Sequence, residues 1–99
     1  MNEPTTPLPR VTVPVKCIVA FPIEAPEFRA LLIRQGCTLE EKPDCCLIHC
    51  PAGTTRTEVY PRTLCERYWV RFPSGLLIKE SFDTQRRRSV LFFTPEPLA

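Results

Sequence analysis

The residues best suited to chemistry lie between Leu47 and Thr57, where the chain reads LIHCPAGTTRT. Five residues separate Cys50 from Arg56, and a Pro-Ala-Gly turn lies between them. A cysteine thiolate is a nucleophile, an arginine fork matches phosphate oxygens, and a cluster of backbone amides binds anions. This spacing indicates a candidate site for phosphate-ester chemistry.

The segment from His49 to Thr57 resembles the signature loop of the protein tyrosine phosphatases, in which His-Cys, five residues, Arg and a hydroxyl residue follow one another. The resemblance implies that Cys50 is the nucleophile, that Arg56 binds the phosphate and that Thr57 helps the thiolate to leave. It covers nine of the 99 residues. In that family the loop leads into a helix beside a parallel sheet, whereas Pro61 would break such a helix here.

An ordinary β-hairpin also explains the sequence of this segment. Pro51 suits position i+1 of a type I turn, and Gly53 suits a following position with positive φ. The flanking stretches 45–50 and 55–60 both have the composition of short strands. We favour the hairpin and expect no catalytic residue, which makes a non-enzyme the preferred prediction. The alternative catalytic set is Cys50, Arg56 and Thr57.

Several side chains in the middle of the chain are of the types that bind zinc. The chain has six cysteines and one histidine, but it lacks the Cys-x2-Cys spacing typical of structural zinc sites. We therefore expect no metal and no other cofactor, and we expect reduced thiols. The weaker alternative is a zinc site formed by Cys37, Cys45, His49 and Cys65.

Basic and aromatic side chains are concentrated towards the C-terminal end. They alternate along a predicted hairpin and continue in a run of three arginines, a pattern that can contact phosphates and stack bases. The net charge of +2 and the pI near 8.3 are low for a nucleic-acid-binding domain, so this function is an alternative. The residues concerned are Arg67, Trp69, Arg71, Lys79, Arg86, Arg87 and Arg88.

Regular elements must position these residues. The β-branched stretch 11–21 predicts a strand, with Pro14 at a sheet edge. Pro26 and Glu27 suit the first turn of a helix over about 26–35, and Gly36 suits the position just after its end. We expect this helix to bury Phe28, Leu31 and Leu32.

The remaining pattern predicts short strands. A hairpin over 67–82, with its turn at Pro73-Ser74-Gly75, is the clearest feature, and further strands are predicted at 37–41, 45–50, 55–60 and 89–94. Strands that follow one another at short spacing favour antiparallel pairing. The predicted fold class is α+β, a mainly antiparallel sheet of about five to seven short strands with one α-helix near residues 26–35.

Length and composition predict a single compact domain over residues 10–95, with a flexible Pro-rich arm at 1–9 and a frayed tail at 96–99. No apolar run reaches the roughly 18 residues of a membrane span, and no signal segment is visible. We therefore expect a cytoplasmic protein without membrane contact.

The hypotheses of a phosphatase loop, a zinc site and a nucleic-acid-binding surface each lack a feature that the function requires. We therefore predict a small non-catalytic interaction module, which self-associates or docks on a protein partner. Nucleic-acid binding is the first alternative, and a cysteine-dependent phosphatase-like activity is the second.

Overall fold

The computed structural model describes residues 11–59 and 67–92. Within these ranges the chain forms one helix and eight strands, so the α+β class is confirmed and the strand number exceeds the predicted five to seven. The arm at 1–9, the tail at 96–99 and Cys65 lie outside the described residues. The elements are β1 (Thr12–Pro14), β2 (Cys17–Ala20), α1 (Pro26–Arg34), β3 (Thr38–Glu41), β4 (Cys46–His49), β5 (Thr55–Glu58), β6 (Tyr68–Arg71), β7 (Leu77–Asp83) and β8 (Arg88–Phe92).

The helix begins and ends where its sequence signals predict. Pro26 occupies the first turn, and Gly36 follows the end with a φ of 94°. The amide of Gly36 donates to the carbonyl of Ile33 and the amide of Cys37 donates to that of Leu32, which is the hydrogen-bond pattern of a Schellman motif. Leu32 is fully buried, whereas Phe28 and Leu31 are half-buried.

The strands form one sheet in the order β1-β5-β6-β7-β8-β2-β4-β3. Neighbouring strands are antiparallel except β2 and β8, which run parallel where Ala20 faces Ser89. The predicted hairpin over 67–82 is confirmed, because β6 pairs with β7 in the register Val70–Ile78.

The sheet curls back on itself. Only Val15 and Lys16 separate β1 from β2, and residues 50–54 connect β4 to β5. The Cys50 amide donates to the Lys16 carbonyl at 2.8 Å, and the Val15 amide donates to the Thr54 carbonyl at 3.1 Å. The β1–β2 segment therefore lies along β4 and β5 together. Because β1 pairs with β5 and β2 pairs with β8, the β1–β2 segment closes β5, β6, β7 and β8 into a barrel-like arrangement.

The predicted hairpin between β4 and β5 is wrong. A turn is present one residue later than predicted: the Thr54 amide donates to the Pro51 carbonyl at 3.2 Å, so Pro51 is at position i, and Gly53, with a φ of 93°, is at position i+2. However, β4 pairs with β2 and β3, whereas β5 pairs with β1 and β6. The turn residues set the local bend correctly, but the long β1–β2 segment pairs with both strands and keeps them apart.

The core lies between the inner face of this curled sheet and α1. Alternate residues of β2, β4 and β7 are buried, as period-2 geometry predicts. No helix among the described residues is long and apolar enough to cross a membrane. The buried apolar cluster comprises Ile18, Ala20, Leu32, Cys37, Cys46, Ile48, Val70, Phe72 and Ile78.

Candidate functional site

Cys50 is not in an environment that activates a thiol. It is half-buried, and its Sγ lies 3.7 Å from the carbonyl oxygen of Ile48. Burial, together with the nearby Cys37, raises the pKa of Cys50 to about 12. A nucleophilic cysteine needs the opposite shift, because the thiolate is the reactive form.

Arg56 is held by an internal carboxylate. Its Nε donates to Oε1 of Glu80 at 3.0 Å, and its Nη2 donates to Oε2 at 2.5 Å. Glu80 is completely buried and also accepts a hydrogen bond from the Ser89 hydroxyl. The guanidinium carbon lies 4.0 Å from the ring centroid of Tyr68. The guanidinium group of Arg56 is therefore already bound by a buried carboxylate of the protein itself.

Thr57 lies on the other side of the sheet from Arg56, because successive strand residues alternate. Its Oγ1 is 2.9 Å from Oγ1 of Thr12, and it faces Trp69 across β5 and β6. The three alternative catalytic residues are therefore engaged by three different sets of neighbours.

The zinc set is not assembled by the described residues. No group of three or more His, Cys, Asp or Glu side chains there could hold a metal ion. Cys37 and Cys45 are buried, whereas His49 is exposed and its Nε2 lies 3.0 Å from Oε1 of Glu40. Cys65, the fourth residue of the set, lies outside the described residues.

The basic and aromatic residues fall into two groups. Trp69 faces Lys79 across β6 and β7, and Arg71 faces Leu77, so these side chains share the outer face of the sheet. Arg67 precedes Trp69 by two residues and belongs to the same alternation. The members of this first group therefore share one face of the sheet, as their alternation in the sequence predicts.

The three arginines of residues 86–88 form the second group, at the turn between β7 and β8. Arg88 Nη2 donates to Oδ2 of Asp44 at 2.6 Å. The guanidinium carbons of Arg86 and Arg88 lie 5.8 and 6.0 Å from the ring centroid of Phe21. Four strand residues, roughly 13 Å, separate this turn from Lys79. The structure therefore does not join the two groups into one continuous surface.

An apolar surface that the sequence analysis missed lies on the outer face of β4, β2 and β8. Val19 faces Leu47, and Phe21 continues beyond β2 beside β8. Val19 is 41% exposed and Val90 is 46% exposed, while Leu47 and Phe21 are half-buried. We call Val19, Phe21, Leu47 and Val90 the outer apolar strip.

A cavity of about 190 Å³ adjoins the strip. It lies between β8 and the segment that leads into α1, and its apolar walls include Phe21, Ile23, Phe28, Val90 and Leu91. A cavity of this size accepts one apolar side chain. The strip therefore combines a flat exposed portion with a recess at one end.

Charged residues lie at both ends of the strip. Glu40 faces Leu47 at the β3 end, and its carboxylate accepts hydrogen bonds from His49 and Lys42 that lower the pKa of Glu40. The arginine turn of residues 86–88 lies at the β8 end, where Arg88 faces Asp83 across β7 and β8. Each end of the strip thus carries an ion pair, Glu40 with Lys42 at the β3 end and Arg88 with Asp44 at the β8 end.

The signal for this strip was present in β2. Ile18, Val19 and Ala20 are all apolar, so the strand is hydrophobic on both faces. Such a run usually indicates a strand buried on both sides. Here one face is buried and the other is open, which the sequence of β2 alone does not reveal.

Comparison with protein families, with curated proteins and with solved structures finds no match to this chain.

Proposed function

We propose that this protein is a small non-catalytic interaction module that self-associates through the outer apolar strip. The observation that carries the proposal is the exposure of Val19 and Val90, at 41% and 46%, on neighbouring strands beside an apolar recess. Clustered apolar surface with a polar rim is typical of interaction sites.

The hydrophobic effect supplies the driving force. Complete burial of an exposed valine contributes about 1.5–3 kcal/mol, and the half-buried Phe21 and Leu47 add further apolar area. Phe21 is one of the residues that line the recess. Aromatic side chains at the centre of an interface frequently contribute most of the binding energy.

Charge complementarity favours a second copy of the chain as the partner. In a two-fold dimer the same surface patch contacts itself in reversed orientation. In that arrangement the arginine turn of one protomer, residues 86–88, lies near the Glu40–Lys42 ion pair of the other protomer, where an arginine can replace Lys42 as the partner of Glu40. Opposite charges placed in this way fix the orientation of the two copies and speed their association.

Sedimentation of the wild-type protein over a concentration series tests the proposal. Val90→Glu places a charge in the strip and should weaken the dimer about 100-fold, since roughly 3 kcal/mol of apolar contact and desolvation is lost. Ile33→Glu is the matched control, because Ile33 is 57% exposed on α1, away from the strip. A wild-type protein that stays monomeric up to about 1 mM would refute self-association.

Nucleic-acid binding is a second candidate, favoured by the pairing of Trp69 with Lys79 on the outer face and by Arg71 on the same face. An aromatic ring between cations can stack on a base while the cations contact phosphates. Binding to a single-stranded oligonucleotide should then fall with salt and with Arg71→Ala. Binding that is unchanged by this variant would remove the candidate.

We propose that the module is cytoplasmic. Five described cysteines, Cys17, Cys37, Cys45, Cys46 and Cys50, are free thiols, and free thiols are typical of a reducing compartment. Fractionation of the host cell with a tagged chain tests this placement.

A further inference from the structure

Two cysteines lie opposite each other at the end of the β3–β4 ladder. Thr38 faces His49 in this antiparallel pair, so the next position places Cys37 opposite Cys50. Both side chains are on the inner face, since Leu39 and Ile48, two residues along each strand, are packed in the core. The two thiols are close enough to form a hydrogen bond with each other.

The backbone geometry of this pair suits a disulfide. The amide of Cys37 donates to Leu32 and the amide of Cys50 donates to Lys16, so both amides point away from the partner strand. This is the arrangement of a non-hydrogen-bonded antiparallel pair, in which the Cα atoms are about 4.5 Å apart. Disulfides span Cα distances of about 4.4–6.8 Å.

Both positions are fixed by neighbouring structure. Cys37 is held by the hydrogen bonds that end α1, and Cys50 is held by its bond to the β1–β2 segment. The Cβ that an alanine at Gly36 would carry lies 3.4 Å from Cβ of Pro51, which shows how closely the two segments approach. The pair can therefore be linked with little movement of the backbone.

We propose that Cys37 and Cys50 form a reversible oxidation site, at which a peroxide converts the two thiols into a disulfide that joins the end of α1 to the β4–β5 connection. The Cys50 thiolate attacks the peroxide oxygen and becomes a sulfenic acid, and hydroxide leaves. The Cys37 thiol then displaces the sulfenic oxygen as water. Two thiols and one hydrogen peroxide thus give one disulfide and two waters.

A small oxidant can reach this pair. Cys50 lines a cavity of about 410 Å³ together with Pro14, Val15, Lys16 and the turn at residues 51–54. Cys37 does not line this cavity and is only 6% exposed. Cys50 is thus the thiol that peroxide can reach, its raised pKa makes the reaction slow at neutral pH, and Cys37 is the resolving thiol.

The other described cysteines are placed differently. Cys17 faces His49 on the outer side of the sheet and is exposed. Cys45 and Cys46 are adjacent in sequence, and Cys46 faces Ala20 and Glu41 across its two neighbouring strands. The site therefore predicts one specific disulfide from the described thiols.

Peptide mapping of the oxidised wild-type protein tests the proposal. The protein is treated with hydrogen peroxide, its remaining thiols are alkylated, and it is digested without reduction. We expect a Cys37–Cys50 linked peptide, a loss of two hydrogen atoms in the intact mass, and full reversal by dithiothreitol. We also expect a rise in Tm of roughly 12–24 °C, because the bridge closes a loop of about 14 residues. A folded protein in which both cysteines remain alkylatable after treatment would overturn the proposal.

Variants and pH provide independent tests. Cys50→Ser and Cys37→Ser should each abolish the linked product, whereas Cys17→Ser, the matched control, should retain it. If a serine variant does not fold, the pH dependence of the oxidation rate of the wild-type protein tests the role of Cys50 instead. Because burial keeps the pKa of Cys50 near 12, the oxidation rate should rise about tenfold per pH unit through the alkaline range. A rate that does not change with pH would refute the role of Cys50.

Discussion

The buried ion pair between Arg56 and Glu80 predicts a strong energetic coupling. Glu80 is completely buried and depends on Arg56 and Ser89 for its hydrogen bonds, while the Arg56 side chain remains 28% exposed. Arg56→Met would leave the carboxylate buried with Ser89 as its partner. Removing one member of a buried pair costs about 3–5 kcal/mol of the free energy of unfolding.

The reverse change should cost less. Glu80→Leu leaves a guanidinium that water can reach and that still packs on Tyr68, so we expect a loss of about 2–3 kcal/mol. The double variant Arg56→Met/Glu80→Leu leaves no uncompensated buried charge from this pair. It should lose less free energy of unfolding than Arg56→Met alone, because apolar pairs often replace buried ion pairs at little cost.

Urea denaturation of the four proteins measures this coupling as a double-mutant cycle. Arg71→Met is the matched control, since Arg71 is exposed and its Nη1 donates to the Gly75 carbonyl at 3.2 Å. Its effect should stay within about 0.5 kcal/mol. If the Arg56 and Glu80 effects simply add, the pair is not coupled and Arg56 is available for another role.

Three further predictions concern other parts of the described chain. Gly53→Ala should lower the free energy of unfolding by about 1–2 kcal/mol more than Gly75→Ala, because both have positive φ but only the first places its Cβ 3.3 Å from a proline carbon. The ion pair with Arg29 lowers the pKa of Glu41 below its ordinary value of 4.5. The difference in free energy of unfolding between wild type and Arg29→Gln should therefore be present at neutral pH and disappear as acid protonates Glu41. A difference that is independent of pH in denaturation experiments would contradict this prediction. Cys50, whose pKa is about 12, should react with iodoacetamide at neutral pH at least about 100-fold more slowly than an unhindered cysteine, and fast labelling of the folded protein would show that the thiol is activated.

The parts of the fold predicted correctly depend on local signals. Pro26 and Gly36 bound α1 because the first turn tolerates a residue without an amide hydrogen and the end favours positive φ. The β6–β7 hairpin was likewise predicted from alternation and its turn. Such features are encoded within about ten residues, so the sequence contains all the information they require.

The features that could not be predicted depend on distant partners. A turn containing Gly53 was predicted, but whether β4 and β5 pair with each other is decided by the β1–β2 segment, whose residues lie about 26 to 45 positions before their partners. Arg56 on β5 contacts Glu80 on β7 only because these two strands lie on either side of β6 in the sheet. The residues near Arg56 in the sequence therefore do not indicate that Glu80 is its partner.

The candidate site was missed for a related reason. An apolar strand such as β2 indicates burial on both faces, and only the folded structure shows that Ile18 and Ala20 lie in the core while Val19 on the opposite face is exposed. The two basic groups were predicted as one surface, because strand alternation does not reveal that Lys79 and the arginine turn lie at different levels of the sheet.

The location of the self-association surface is the most direct test of the proposed function. Amide spectra of ¹⁵N-labelled protein, recorded over a dilution series, report which residues change their environment as the dimer forms. The account predicts concentration-dependent shifts at Val19, Phe21, Leu47 and Val90 and constant shifts at Ile33. Shifts that are confined to other surfaces, or spectra that do not change with concentration, would contradict it.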